Sequence, residues 1–160
     1  MSDPCTSYDP FTTSKATSAG LPLGTKIRRE HPTTGEMATF VWVYNVDLAT
    51  TAGSVLTLAS ATSAYTVSGD RSGGSAVSAI KAVGVAVGAI GAGEYGYIMC
   101  EGTHPGVYTD GGVAADDPLV PHTVDGEADT MADGEEEQVF GWALADDSGT
   151  TESCYAYINC

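Results

Sequence analysis

Gly84 to Cys100 reads GVAVGAIGAGEYGYIMC. Gly91, Gly93 and Gly96 supply a G-x-G-x-x-G directly after a valine-rich run, which is the spacing of a dinucleotide-binding turn. Such a turn requires a helix to begin inside the glycines, because the helix amino end holds the pyrophosphate. After Gly93 the chain continues EYGYIMCEGTHPG, aromatic, broken by glycine and without helical period. The nucleotide reading is therefore excluded, and a β-hairpin takes its place. Val83, Val85 and Val87 are expected on one face of its first strand, with Ala82, Gly84, Ala86 and Gly88 on the other. The nearly bare face would let another backbone or a large ring approach closely. Tyr95, Tyr97 and Met99 alternate with Glu94, Gly96 and Ile98 in the second strand, and Gly91-Ala92-Gly93 makes the turn.

Working outward, alternation recurs and a 3.6-residue period does not. GTKIRREHPTTGEMATFVWVYNVD predicts two strands joined at His31-Pro32-Thr33-Thr34-Gly35. In the second, Met37, Thr39, Val41 and Val43 oppose Ala38, Phe40, Trp42 and Tyr44. Bulk on both sides marks a strand covered on both faces. GSVLTLAS and SAYTVSG are short strand candidates bounded by glycine and serine, as are GVYT and PLVPHTV further on. QVFGWALADD and SCYAYINC predict a closing hairpin across Asp146-Asp147-Ser148-Gly149. Val139, Gly141 and Ala143 are expected on one face, with Phe140, Trp142 and Leu144 on the other. SAVSAIKAV, Ser75 to Val83, is the best candidate for one short helix. Residues 1–23, rich in Pro, Gly, Ser and Thr, read as an extended arm. Residues 24–160 read as an all-β domain, a small antiparallel barrel or sandwich.

The 160 residues suit one domain with a real core. The net charge is −15, and it is unevenly placed. Lys15, Lys26, Arg28, Arg29, Arg71 and Lys81 are all the basic residues, and six acids balance them. From Ala82 onward come fifteen acids and neither Lys nor Arg. Nucleic-acid binding draws on counterion release by basic residues, so that half is unsuited to it. MSDPCTSYDP has neither the basic start nor the apolar stretch of a secretory signal. Ala82 to Ala92, the longest apolar run, is too short for a bilayer span. No membrane partner and synthesis in a cytoplasm are expected. Cys5, Cys100, Cys154 and Cys160 lack a C-x-x-C pair. Free thiols are the default, and a disulfide using Cys160 is the alternative.

Catalytic and metal signatures are weak. His31, His104 and His122 each neighbour a proline and read as loop residues. Cys100-x-x-x-His104 has no second ligand pair. Asp125, Asp129, Asp133 and Glu137 recur every four residues, but Met131 occupies a place where an EF-hand needs oxygen. A solvated loop is the primary reading there, with irregular Ca²⁺ binding by residues 125–137 as the alternative. Asp116-Asp117 and Asp146-Asp147 read as turn residues before glycosidase carboxylates. There is no G-x-S-x-G. Neither a cofactor nor an enzymatic activity is expected.

AVGVAVGAIGAGEYGYIMCEGTHPGVYTDGGVAADDPLVP, then VFGWALADDSG and a terminal YAYINC, resembles small structural proteins of tailed-bacteriophage heads. The G-V-A strand, A-G-E-Y-G turn and G-x-A-L-A closing strand occur in the same order, and LGTKIRREHPTTGEMATFVWVYN resembles their early hairpin. The resemblance spans roughly Leu23 to Cys160. It implies a capsid decoration, or cement, protein: β-rich, usually homotrimeric, bound outside the shell and tying capsomers together. The partner implied is the major capsid protein, and the location is the outer surface of the virion. Phe11, Lys15, Lys26, Arg28 and Arg29 are then expected to meet the capsid, while the acidic half faces solvent. Trp42, Tyr95, Tyr97 and Trp142 are expected at the subunit interface. A receptor- or glycan-binding module of a phage head or tail fibre is the alternative.

Overall fold

A computed structural model describes residues 9–11, 20–59, 62–70, 78–147 and 152–160, with the backbone alone for residues 78–80. Ten strands follow in chain order: β1 Lys26–Glu30, β2 Met37–Asn45, β3 Val55–Leu58, β4 Thr66–Ser68, β5 Ser78–Ala86, β6 Glu94–Tyr108, β7 Pro118–Pro121, β8 Ala128–Thr130, β9 Gly141–Ala143 and β10 Ser153–Asn159. A single 3-10 turn, Glu136–Gln138, is the helical content among the described residues. The all-β expectation holds.

Strands β2, β4, β3, β5 and β6 pair in a closed ring, because β6 returns to β2. The ring differs from an all-antiparallel barrel in one contact: β2 and β4 run parallel. Parity explains this, since five strands of alternating direction cannot close without one like-directed pair. Alternate residues of the ring strands go to two clusters. Val41, Val43, Leu56, Val67, Ala86, Ile98 and Cys100 come from all five strands and fill the ring. Ala38, Phe40, Trp42, Val55, Val85, Tyr97 and Met99 point the other way and pack with the rest of the chain. This two-sided burial of β2 is what its sequence predicts.

The opening hairpin is present. Val85 pairs with Met99 and Ala86 with Ile98, so the pairing is symmetric about Ala92. Gly91 O accepts the Glu94 N–H at 3.1 Å, the Glu94 carboxylate accepts the Gly91 N–H at 2.8 Å, and Gly93 sits at φ +74°. Asn45, fully buried, donates from Nδ2 to the carbonyls of Ile90 and Gly91 and pins the turn to the ring. At Gly84 a Cβ would collide with the Met99 carbonyl oxygen, so the bare face does admit a neighbouring backbone.

Three expectations are corrected here. The segment expected as a helix, Ser75 to Val83, is strand from Ser78 onward, and residues 75–77 lie outside the described residues. Pairing with β3 decides this, because tertiary contacts override a weak local period. The proposed valine face is also broken. Leu56 opposes Gly84 while Thr57 opposes Ala82, so Val83 is the extra residue of a bulge. Val85 and Val87 therefore pack on one side and Val83 on the other. Finally, Phe140 is buried rather than turned out with Trp142 and Leu144. It precedes β9, and its N–H donates to Leu119 O at 3.0 Å.

Beyond the ring, β6 continues and pairs with β10, followed by β9, β7 and β8. The closing β9–β10 hairpin matches expectation, with Ala143 opposite Ala156 and Trp142 opposite Tyr157. Cys154, Ala156, Ile158, Gly141 and Ala143 face inward, while Tyr155, Tyr157 and Trp142 face out.

Candidate interaction surfaces

Strand β1 closes one end of the sheet order, so its outer edge has no strand partner among the described residues. Lys26, Arg28 and Arg29 are exposed on it, while Ile27 tucks against the core. Alternation puts Lys26 and Arg28 on one face and Arg29 on the other. Lys26 also stands with Lys81 at an open cavity of about 320 Å³ beside the ring, walled in part by Tyr65, Cys100 and Cys160. In a chain of net charge −15, Lys26, Arg28, Arg29 and Lys81 are the Lys and Arg side chains among the described residues. Phe11 packs edge-on against His31 and Phe40, with ring centroids 5.0 and 5.1 Å away. Its contact is thus with the chain's own core, half-buried. Lys15 lies outside the described residues.

Of the four aromatics expected at a subunit interface, Trp42, Tyr95 and Tyr97 pack together and Trp142 stands apart from them. Trp42 and Tyr97 are buried in the chain's own core, 4.9 Å apart between ring centroids, and offer little surface to a partner. Tyr95 is half-buried, stacked on Trp42 and tilted by 44° against Tyr44. Trp142 is 43 % exposed. It belongs to a stripe with Leu144, Tyr155 and Tyr157 on the outer face of β9 and β10. The sequence reading missed Tyr155 and Tyr157. The signal was there, in SCYAYIN, whose small or apolar Cys154, Ala156 and Ile158 alternate with them.

All three histidines use one local device. Nδ1 of His31, His104 and His122 accepts the N–H of Thr33, Gly106 and Val124 respectively, each at 3.2 Å. This side-chain-to-backbone turn suits a histidine beside a proline. His104 is buried, and its Nε2–H donates to Ala86 O at 3.2 Å. Burial pushes its pKa down to about 4, assisted by nearby His31, whose own value burial also lowers. Cys100 contacts Thr39 O on β2 while His104 contacts Ala86 O on β5, so each side chain is held by a different backbone carbonyl.

The paired aspartates hold loops. Asp147 accepts from Thr109 Oγ1 at 2.8 Å and from the N–H groups of Gly112 and Val113. Asp146 accepts the Ala115 N–H at 2.7 Å, and Asp117 accepts from Ala114 N and Thr130 Oγ1. Asp116 sits at φ +71°. Asp125, Asp129, Asp133 and Glu137 do not converge on one point; Asp129 lies instead with Asp110 and His122. Cys100, Cys154 and Cys160 are free thiols, and Cys5 lies outside the described residues. Burial pushes the Cys154 thiol up to about 11, so it is not a ready nucleophile, whereas Cys160 is exposed at the chain end.

No protein-family model matches the chain, and no curated protein sequence does. Among solved structures, the fold is similar to the N-terminal base of head fiber gp8.5 in bacteriophage phi29. The TM-score is 0.51 at 16 % identity, over 75 % of this chain and 94 % of that one. At this identity the likeness concerns the fold.

Proposed function

We propose that this chain is a non-enzymatic decoration protein of a tailed-phage head, held on the outer capsid surface and bracing contacts between capsomers. The observation that carries the reading is the architecture, a ring with an outer sheet, similar to the base of a phage head fiber. The sequence resemblance to head structural proteins points the same way. Charge then orients the molecule: the corner with Lys26, Arg28, Arg29 and Lys81 turns toward the major capsid protein and the acidic outer sheet toward solvent. The open edge of β1 can add to a capsid strand through backbone hydrogen bonds. In a homotrimer the stripe of Trp142, Tyr155 and Tyr157 supplies the apolar contact between subunits, and three arms make attachment multivalent. Images of heads with and without the protein test location directly; density at capsomer junctions is expected, and its absence would end the reading. Deleting residues 2–22 should lower occupancy if the arm is an anchor.

The exposed Trp142, Tyr155 and Tyr157 favour one second reading, a glycan- or receptor-binding module. Binding to host-cell polysaccharide that Trp142→Ala abolishes would support it over the decoration role.

A further inference from the structure

We propose that Asp110, His122 and Asp129 form a binding site for one borderline divalent metal ion, Mn²⁺ or Zn²⁺, that fastens the acidic outer sheet to the end of β6. The three residues come from separate segments: just past β6, just past β7, and within β8. Backbone pairing brings them together. Asp110 N–H donates to Ala128 O at 3.1 Å, His122 N–H donates to Glu127 O at 2.9 Å, and Val120 lies opposite Asp129. One ligand atom from each lies within 4.8 Å of the other two.

The spacing is what points to an ion. His122 Nε2 and Asp110 Oδ2 are 3.6 Å apart, too long for a good hydrogen bond. Two donors each about 2.1 Å from one metal at a tetrahedral angle stand about 3.4 Å apart, close to what is seen. Asp110 and Asp129 moreover face each other in a half of the chain without Lys or Arg. Asp129 turns Oδ1 to the Thr130 N–H, and its side chain also meets the Asp110 carboxyl, a contact that a bound ion would replace. One imidazole nitrogen and two carboxylates suit a first-row divalent ion, whereas Ca²⁺ takes six to eight oxygens.

Uptake requires a change of tautomer at His122. With Nδ1 accepting from Val124 N–H, the neutral ring carries its proton on Nε2. Binding at Nε2 moves that proton, by way of solvent, to Nδ1. There the Glu127 carboxylate, 3.7 Å away, has to close in by several tenths of an ångström to take Val124's place as its partner. Glu127 is thus the outer residue that orients the ring.

The test uses the untagged chain stripped of metal, titrated with Mn²⁺ because free thiols compete for Zn²⁺. One ion per chain and a rise in Tm of about 5 °C at a hundredfold excess over Kd are expected. Asp110→Asn with Asp129→Asn should abolish the rise while leaving the circular dichroism unchanged. Glu127→Gln should weaken binding about tenfold. In the unaltered chain, Mn²⁺ should broaden the ring resonances of His122 and spare those of His31 and His104, which reads the site even if the double variant does not fold. An unchanged Tm, equal broadening of all three rings, or a rise that survives in the double variant (an adventitious ion only) would each overturn the proposal. So would stronger stabilisation by Ca²⁺ than by Mn²⁺.

Discussion

The ring and the outer sheet share strand β6 yet treat their side chains in opposite ways. In the ring, both faces of β2 and of the first half of β6 are buried, one inside the ring and one beneath the rest of the chain. In the outer sheet, β9 and β10 bury one face and leave aromatics on the other, among loops that carry the acids. Two-sided burial makes a frame; one-sided burial leaves a surface for recognition. Trp42 and Trp142 show the difference within one residue type, the first 2 % exposed and the second 43 %.

Substituting those tryptophans gives the widest separation. Trp42→Ala should lower stability by about 4 kcal/mol through a cavity in the shared core, measured by urea unfolding. An equal loss in Trp142→Ala would erase the distinction between frame and surface. Next in size is acid sensitivity at the seam. His104 has a folded pKa of about 4 against an ordinary 6.5, so the unfolded chain binds a proton more readily between those values. Stability is therefore fully present above pH 6.5 and falls toward pH 4, by about 3 kcal/mol from this group. The carboxyls of Asp110 and Glu127, pushed up chiefly by burial, contribute with opposite sign at the acid end. His104→Gln should flatten the profile of unfolding free energy against pH; an unaltered slope would assign the sensitivity elsewhere.

Asp147→Ala removes three acceptor contacts from the loop after β6 and should cost about 2 kcal/mol, with faster amide exchange confined to residues 109–113. Exchange that quickened equally in the ring would mean the two regions do not open separately. The smallest effect belongs to Trp142→Ala itself, within about 0.5 kcal/mol of the parent. Its effect should appear instead as weaker self-association in sedimentation.

What could be read from the sequence was local. FVWV between Phe40 and Val43 announces two-sided burial, and Gly91-Ala92-Gly93 fixes a hairpin centre that the pairing obeys. Tyr-x-Tyr at Tyr155 and Tyr157 was equally legible once alternation with Cys154, Ala156 and Ile158 is weighed. Long-range pairing was not. Nothing in TVS at Thr66 to Ser68 says that it will run parallel to β2, because ring closure imposes that from outside the segment. The bulge at Val83 arises from register against β3, and it overturned a face assignment that the valines alone supported. His122 looks like a loop histidine until β6 and β8 deliver Asp110 and Asp129 beside it. Sites assembled from distant segments leave no spacing to find.

The length of β6 has a mechanical consequence. Its residues up to Glu101 are laddered to β2, and those from Glu101 onward to β10, with Glu101 shared by both. Tension applied to either half passes along one covalent backbone into the other and meets rows of hydrogen bonds in shear, which must fail together instead of unzipping singly. A molecule gripped at its ring and pulled at its outer sheet would resist as one piece.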